Sequence, residues 1–406
     1  MRRALIATVA GAGLALTACG SGGTAAATPS PGTPITIGVS VSLTGDFSSD
    51  GPALEKGYDL WAEDVNKKGG LNGHPVSMKY VDDASSTTQV VSNYETLISS
   101  SKVALVFGPY SSLLTKPAAV RVDRLGYAFP EPAGGAPSVF ALGLHSLFFV
   151  QPAAIEDNLV SYTKWLLALP ADQRPATAAY ATEDDPFTQP QIDKAKSILE
   201  AAGVKTVSYK VYPAETTDFT PLALKVASSK ADAVILGTQV PDAIAFVKTF
   251  ITQHYNPKTL IETAGPDQGA SYSDKLGANT EGIMVPAGWT SGSQAYGNPT
   301  FVAEYISKYG GSAADISADS AEAYSVGQVV DQAATKAGSI DNKTLIDTLH
   351  SGTYQTVQGP MGWDSVGRPQ GGVGVFVEQW QSGTAIFVYP STVAAAQPEY
   401  PKHDWQ

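Results

Sequence analysis

Along most of the chain, segments with the hydrophobic pattern of a strand alternate with segments that have the hydrophobic period of a helix. Short β-branched runs such as Ile35–Val41 are typical of buried strands. Between such runs, apolar residues recur every three or four positions, as Leu54, Tyr58 and Trp61 do, which predicts amphipathic helices. Strands that alternate with helices indicate a parallel sheet covered by helices on both faces.

The alternation runs twice, over residues 35–150 and again over 153–283, and a β-rich tail follows further helices. This predicts an α/β protein with two doubly wound parallel-sheet lobes. The predicted strands are 35–41, 76–81, 103–107, 127–130, 177–181, 204–211, 233–236, 259–263, 283–286, 361–363, 373–379 and 385–389. The predicted helices are 52–68, 88–99, 113–125, 154–169, 189–202, 219–229, 242–253, 299–309, 318–336 and 343–349.

The N-terminus has the pattern of a secretory signal peptide, predicted over residues 1–18. Arg2 and Arg3 precede the apolar stretch 4–16, which is too short to span a bilayer as a helix. The sequence LTACG that follows resembles the lipobox of bacterial lipoproteins, which implies that Cys19 is lipidated. The alternative is an ordinary signal peptide with a buried cysteine.

Residues 19–34 are rich in Gly, Ser, Thr, Ala and Pro, which predicts a flexible tether. The formal charge of −12 argues against a basic nucleic-acid surface, and it becomes −14 when Arg2 and Arg3 leave with the signal peptide. An acidic body is repelled by anionic headgroups, so attachment to a membrane would rest on the lipid alone. The expected location is the outer face of the cytoplasmic membrane.

Motifs of the common enzyme classes are missing. The sequence contains no GxSxG, GxxxxGK[ST] or GxGxxG string. A single cysteine excludes a disulfide within the chain and a Cys-rich zinc site, and the five histidines are scattered. We therefore expect no enzyme activity, no metal and no cofactor.

Several loops carry a recognisable set of motifs: SLTGDF at 42–47, NKKGGLNG at 66–73, Asp82-Asp83, GPYSS at 108–112 and GPMGWD at 359–364. Together they resemble the branched-chain amino-acid-type substrate-binding proteins of ABC importers, which have the type I periplasmic-binding-protein fold. The resemblance covers roughly residues 35–390.

The resemblance implies two lobes joined by three crossovers, which close on a ligand and deliver it to an ABC permease without chemistry. The implied first lobe is 35–151 plus 285–358, and the second is 152–284 plus 359–391. Residues 392–406 form a tail. The hinge is expected near 151–153, 284–286 and 358–362, and the protein is expected to be a monomer. The alternative is a sensor of the same fold that reports a ligand to a membrane receptor.

The resemblance also implies ligand contacts, from Phe47, Tyr110, Ser111, Ser112, Gly134, Gly135, Phe187, Gln239, Asp267 and Tyr324. The Ser112 hydroxyl, with the N–H groups of the helix it begins, would hold a ligand carboxylate. Asp267 would pair with an ammonium group. The structural alternatives are an N-cap role for the serines, a solvated turn for Asp267, lid packing for Phe47 and Phe187, and a core position for Tyr324.

Three positions depart from the pattern of the leucine-specific members. Gly135 stands where those members usually have Thr, Phe187 stands where Tyr is common, and Val240 stands where a second aromatic residue often occurs. The first two changes remove a hydroxyl from the predicted site, while Gly135 and Val240 make it larger and less polar. The expected ligand is therefore an amino acid, an amide or a small carboxylate that is bulkier or less zwitterionic than leucine.

Overall fold

The computed structural model describes residues 32–372 and 374–406. The predicted signal peptide, Cys19 and most of the tether lie outside the described residues. The end of the tether is fixed, because the Gly32 amide donates to the Gly73 carbonyl and His74 Nδ1 lies 3.0 Å from the Thr33 carbonyl oxygen.

The strands lie close to their predicted positions. They are β1 Ile35–Val41, β2 Val76–Asp82, β3 Leu105–Phe107, β4 Phe129–Glu131, β5 Leu147–Phe149, β6 Thr177–Glu183, β7 Lys205–Tyr212, β8 Ala233–Gly237, β9 Thr259–Glu262, β10 Met284–Ala287, β11 Tyr354–Thr356, β12 Gly359–Met361, β13 Phe376–Gln381 and β14 Thr384–Tyr389.

The α-helices fill the connections. They are α1 Gly51–Lys67, α2 Thr87–Glu95, α3 Ser112–Arg124, α4 Pro137–Phe140, α5 Val160–Ala168, α6 Thr188–Ala201, α7 Thr220–Ser228, α8 Val240–Thr252, α9 Ala270–Leu276, α10 Asn298–Tyr309, α11 Ala318–Ala337 and α12 Asn342–His350. The strands β5 and β11 and the helices α4 and α9 are absent from the sequence prediction, because three to seven residues are too few to show a hydrophobic period.

The first lobe contains a parallel sheet of order β2-β1-β3 and the parallel pair β4-β5. Helices α1 and α11 pack closely on each other beside it. The Ser320 hydroxyl donates to the Ala53 carbonyl at 2.7 Å, and a Cβ on Gly57 would lie 2.1 Å from the Ser320 carbonyl oxygen. Glycine is required there because two helix backbones approach each other.

The second lobe contains a seven-stranded sheet of order β14-β13-β10-β9-β8-β6-β7. Strands β6 to β10 pair in parallel, whereas β13 pairs antiparallel with both β10 and β14. Since β10 belongs to this sheet, the chain leaves the second lobe after Ala287, slightly later than the expected boundary at residue 285.

The three crossings between the lobes meet around Pro152. A Cβ on Gly288 would lie 2.9 Å from the Pro152 ring, and one on Gly372 would lie 2.2 Å from the Pro152 carbonyl oxygen. The third crossing therefore lies near residue 372 rather than at 358–362. Before it, Trp363 is buried in the first-lobe core and its Nε1 donates to the Phe149 carbonyl.

The C-terminal residues pack on the second lobe. The Lys402 amide donates to the Lys258 carbonyl, and Trp405 Nε1 donates to the Tyr255 carbonyl, both at 2.8 Å. Within the described part of the chain, no helix combines the length and the apolar character needed to cross a bilayer.

We predict that Gly327→Ala destabilises the first lobe. A Cβ at Gly327 would lie 2.1 Å from the Trp61 ring, so α11 would have to move away from α1. Overpacking of this kind costs about 1–3 kcal/mol. Urea unfolding should show the loss, whereas Gly292→Ala, which adds a methyl group in open space, should leave the stability nearly unchanged. Equal stabilities of the two variants would contradict the packing argument.

Candidate functional site

A cleft lies between the lobes where loops follow the carboxyl ends of the strands, the usual ligand position in open parallel sheets. The first lobe supplies Tyr110, Ser111, Pro132, Ala133, Phe149, Gln151, Ala318, Asp319 and Glu322. The second lobe and the crossings supply Ala153, Ile155, Asn158, Phe187, Thr263, Ala264, Asp267, Gln268, Pro286, Ala287, Gly288 and Val375.

Ser111, which precedes helix α3, faces the cleft with an unpaired hydroxyl. The residue is 2% exposed and its Oγ has no hydrogen-bond partner. Its backbone φ of 66° is unfavourable for any residue other than glycine. Ser112 is different, because its Oγ accepts a hydrogen bond from the Ala136 amide and it does not line the cleft. Between these two serines, Ser111 has the hydroxyl available to a ligand.

Tyr110 connects the lobes at the edge of the cleft. Its hydroxyl donates to Gln239 Oε1 at 3.2 Å, and its ring packs edge-on against Phe47 with centroids 5.3 Å apart. Phe47 and Gln239 do not line the main cleft but border a neighbouring cavity, together with Glu183. The hydrogen bond from Tyr110 to Gln239 holds the two lobes together.

The glycine-rich loop after β4 contributes Pro132 and Ala133 to the cleft, whereas Gly134 and Gly135 lie behind them. The Gly134 amide donates to Glu131 Oε2 and is therefore not free to bind a ligand. A Cβ on Gly134 would collide with the Thr115 side chain, and one on Gly135 would lie 2.0 Å from the Phe149 ring. Both glycines allow close packing.

Tyr324 lies in the first-lobe core and does not line the cleft. Its hydroxyl donates to Asp64 Oδ2 at 2.7 Å, and its ring packs on Phe301 with centroids 4.9 Å apart. The core alternative for this residue therefore agrees with its position.

Phe187 and Asp267 reach the cleft from the second lobe. Phe187 also packs against the first-lobe core. Asp267 Oδ1 accepts a hydrogen bond from the Gly265 amide at 2.9 Å, while the Asp267 carbonyl accepts one from the Ala318 amide at 3.1 Å. Since Ala318 belongs to the first lobe, contacts with both lobes hold the Asp267 loop in place.

Two acidic residues of the cleft, Asp319 and Glu322, are missing from the sequence prediction. They lie in the first turns of α11, and Asp319 Oδ2 is buried without a hydrogen-bond partner. A signal was present, since both carboxylates occur in an alanine-rich helix whose other residues in this region are largely buried. Three-residue spacing places them on the same helix face.

Burial shifts the titration of these acids. Desolvation raises the pKa of Glu322 to about 8 and that of Asp267 to about 6. The pKa of Asp319 also rises well above its ordinary value, because the side chain is buried and the carboxylates of Asp50, Glu322 and Asp267 lie nearby. Among the described residues that line the cleft, none is Lys, Arg or His. The described chain shows no group of three or more His, Cys, Asp or Glu side chains suited to a metal ion.

A sequence model of the family described as Periplasmic binding protein matches residues 34–385. The chain belongs to this family. It is similar to a Leu/Ile/Val-binding protein homologue of Brucella melitensis, with 23% identity over 91% of this chain and 94% of that protein. It is also similar to an amino acid binding protein of Pseudomonas aeruginosa, with 26% identity over 82% of this chain and 87% of that protein.

Solved structures confirm the fold class of this periplasmic binding protein. A solute-binding protein of an ABC transporter from R. palustris, in complex with benzoate, aligns with a TM-score of 0.76 and 17% identity over 91% of this chain and 98% of that one. A branched-chain amino acid transporter substrate-binding protein of Streptococcus pneumoniae, in complex with isoleucine, aligns with a TM-score of 0.72 and 20% identity over 87% and 98%. The resemblance inferred from the motifs is confirmed. The chain is an extracytoplasmic solute-binding protein whose relatives are ligand-binding proteins.

We predict that the ligand-free protein loses stability as the pH rises from 5 to 7. A carboxyl whose pKa is higher in the folded state than in the unfolded chain binds its proton more tightly when folded. Its contribution is complete below the unfolded pKa near 4 and is lost as the pH rises through the folded value. The carboxyls with raised pKa are Asp50, Glu55, Asp83, Glu131, Glu183, Asp185, Asp242, Glu262, Asp267, Glu304, Asp319, Glu322, Asp331 and Glu378.

The measurement is the free energy of unfolding in urea at pH 5, 6 and 7. Each carboxyl that remains protonated only in the folded state contributes a slope of about −1.4 kcal/mol per pH unit. Glu322→Gln should make the decline shallower, because it removes one of these groups. A stability that is flat or rises with pH over this range would contradict the prediction.

Proposed function

We propose that this protein is a lipoprotein, anchored through Cys19, that captures a small amino-acid-like ligand between its lobes and delivers it to an ABC permease. The observation that carries the proposal is a cleft with donor groups on one lobe and a carboxylate on the other. Ser111 and the start of helix α3 belong to the first lobe, and Asp267 belongs to the second. A ligand that touches both would stabilise the closed form.

The donor end suits a carboxylate or another polar acceptor. Ser111 lines the cleft and directly precedes helix α3, so its unpaired hydroxyl lies beside the positive end of the helix dipole. Asp267 suits an ammonium group, because a buried carboxylate needs a charged or donating partner. Apolar walls, which include Phe149 and Phe187, would surround the rest of the molecule.

The proposed role involves no catalysis. A serine nucleophile needs a base within hydrogen-bond distance, and the Ser111 hydroxyl has no such partner. Binding, closure and release are then the whole cycle.

We predict that a thermal-shift screen of the full chain against amino acids, amides and small carboxylates yields a stabilising ligand. At 100 times its dissociation constant, such a ligand adds about 2.7 kcal/mol to the free energy of unfolding. Asp267→Asn should abolish the shift. Asp274→Asn makes the same charge change on an exposed part of α9 and should retain it.

Small-angle scattering with and without the ligand would then show whether the lobes close. A ligand that binds equally well to Asp267→Asn, or that leaves the scattering unchanged, would refute capture between the lobes.

We predict that lipid attachment depends on Cys19. When the chain is expressed in a bacterium supplied with labelled palmitate, the wild type should carry label and sediment with membranes. Cys19→Ser should carry no label and leave the membrane fraction, because the acidic body has no affinity of its own for anionic lipid. Ser21→Ala, which changes the tether but not the thiol, should behave like the wild type. Membrane sedimentation of Cys19→Ser would contradict a lipid anchor.

A further inference from the structure

The cleft contains more acidic groups than the single ammonium of a zwitterion can pair with. Asp267 enters from the second lobe, while Asp319 and Glu322 enter from helix α11 of the first lobe. None of the described residues that line the cleft is basic. A single α-ammonium group would pair with one of the three carboxyl groups and leave two without a cationic partner.

Further acids surround this group at a short distance. The charges of Asp50, Glu262 and Glu378 all interact with that of Asp267. Each of the three side chains is no more than 4% exposed, so solvent screens these charges poorly. The environment of Asp267 is therefore strongly favourable to cations.

Two buried polar atoms that line the cleft have no hydrogen-bond partner within the described protein. Asp319 is 3% exposed and its Oδ2 has no hydrogen-bond partner. Ser111 is 2% exposed and its Oγ has none either. Both residues line the cleft, and buried polar groups in proteins are almost always hydrogen-bonded. A ligand with hydrogen-bond donors would satisfy the carboxylate oxygen.

We propose that the ligand of this cleft carries two cationic nitrogens on an aliphatic stem. This chemistry belongs to a basic amino acid and to a diamine. The inference rests on the proposed function, because it names the ligand class of that same cleft. One cationic nitrogen would pair with Asp267, and the other would pair with Asp319 and Glu322.

The remaining walls suit such a stem. Phe149, Ile155 and Phe187 line the space between the polar groups, where they would cover methylene groups, and aromatic faces also attract cations. A ligand whose only charge is a carboxylate would meet three acidic groups and no basic side chain among the described lining residues of this cleft, so we expect it to be rejected.

The raised pKa values of the acids agree with a dicationic ligand and predict that its binding depends on pH. Because burial raises the pKa of Glu322 to about 8, this carboxyl is largely protonated in the empty protein at neutral pH. A bound cation favours the ionised form, so binding should release protons and become tighter as the pH rises from 6 to 8. The titratable groups that face the site are Asp50, Tyr110, Glu262, Asp267, Asp319, Glu322 and Glu378.

The experiment is isothermal titration calorimetry of the full chain with two matched pairs of probes. Lysine and norleucine have the same aliphatic stem, but only lysine carries an ε-ammonium group. Cadaverine and n-pentylamine also share a stem, and cadaverine has two ammonium groups where n-pentylamine has one. The doubly aminated member of at least one pair should bind at least tenfold tighter than its partner. If lysine binds and cadaverine does not, the source is a basic amino acid, and the reverse result indicates a diamine.

Variants test which carboxylates recognise the second nitrogen. Glu322→Gln and Asp319→Asn should each weaken the dication at least tenfold, whereas Asp274→Asn should not change its affinity. Ligand-free melting temperatures of the two cleft variants should be equal to or above that of the wild type, because each replaces a carboxyl that is costly to ionise with a neutral amide of the same shape. Titration of the wild type in phosphate and in Tris buffer measures proton release and needs no variant.

The outcomes separate this inference from the proposed function. Norleucine or leucine binding as tightly as lysine, or a benzoate-like acid binding best, would overturn the dication while leaving capture between the lobes intact. Binding of the dication without proton release and without sensitivity to Glu322→Gln would also overturn it. If no small molecule of any class binds or closes the lobes, the proposed function itself is wrong.

Discussion

The binding properties of this protein depend on the acidic side chains that are removed from water in the cleft. Removing a carboxylate from water is costly unless a cation or several donors replace the lost hydration. Here Asp267, Asp319 and Glu322 share one space with no basic side chain among its described lining residues. The protein accepts part of this cost by holding protons, which is why the pKa of Glu322 rises to about 8.

The topology determines that these charges face one another. Asp267 lies on a loop that follows the strands of the second sheet, and α11 belongs to the first lobe, so closing the cleft brings like charges together. The crossings meet around Pro152, where Gly288 and Gly372 allow close packing. In the proposed cycle, the clustered acids cannot all ionise in the closed form until a ligand supplies the opposite charge. Electrostatic attraction between a cationic ligand and carboxylates of both lobes is then sufficient to make closure depend on the ligand.

The local pattern predicted most elements but not the site. Alternating periods placed β1, α1 and the strands of the second sheet within a few residues of their observed limits, because helix and strand periodicity is a local property. The family resemblance predicted that Tyr110, Ser111, Phe187 and Asp267 contact the ligand, and these residues do line the cleft. The resemblance also predicted ligand contacts for Ser112, Gly134 and Gly135. In the structure, the Ser112 hydroxyl accepts a hydrogen bond from the Ala136 amide, and side chains of other segments fill the space beside both glycines.

The sequence by itself determined the strand–helix alternation, the two lobes, the signal-like N-terminus and the family, since each depends on spacing along the chain. Only the tertiary structure decided that Asp319 and Glu322 share a cleft with Asp267, more than 50 residues away in sequence. It also decided that Tyr324 points to Asp64 in the core and that Ser111 is left without a partner. The reason is physical: a side chain's role depends on which groups desolvate it and compete for its hydrogen bonds, and those groups come from distant segments.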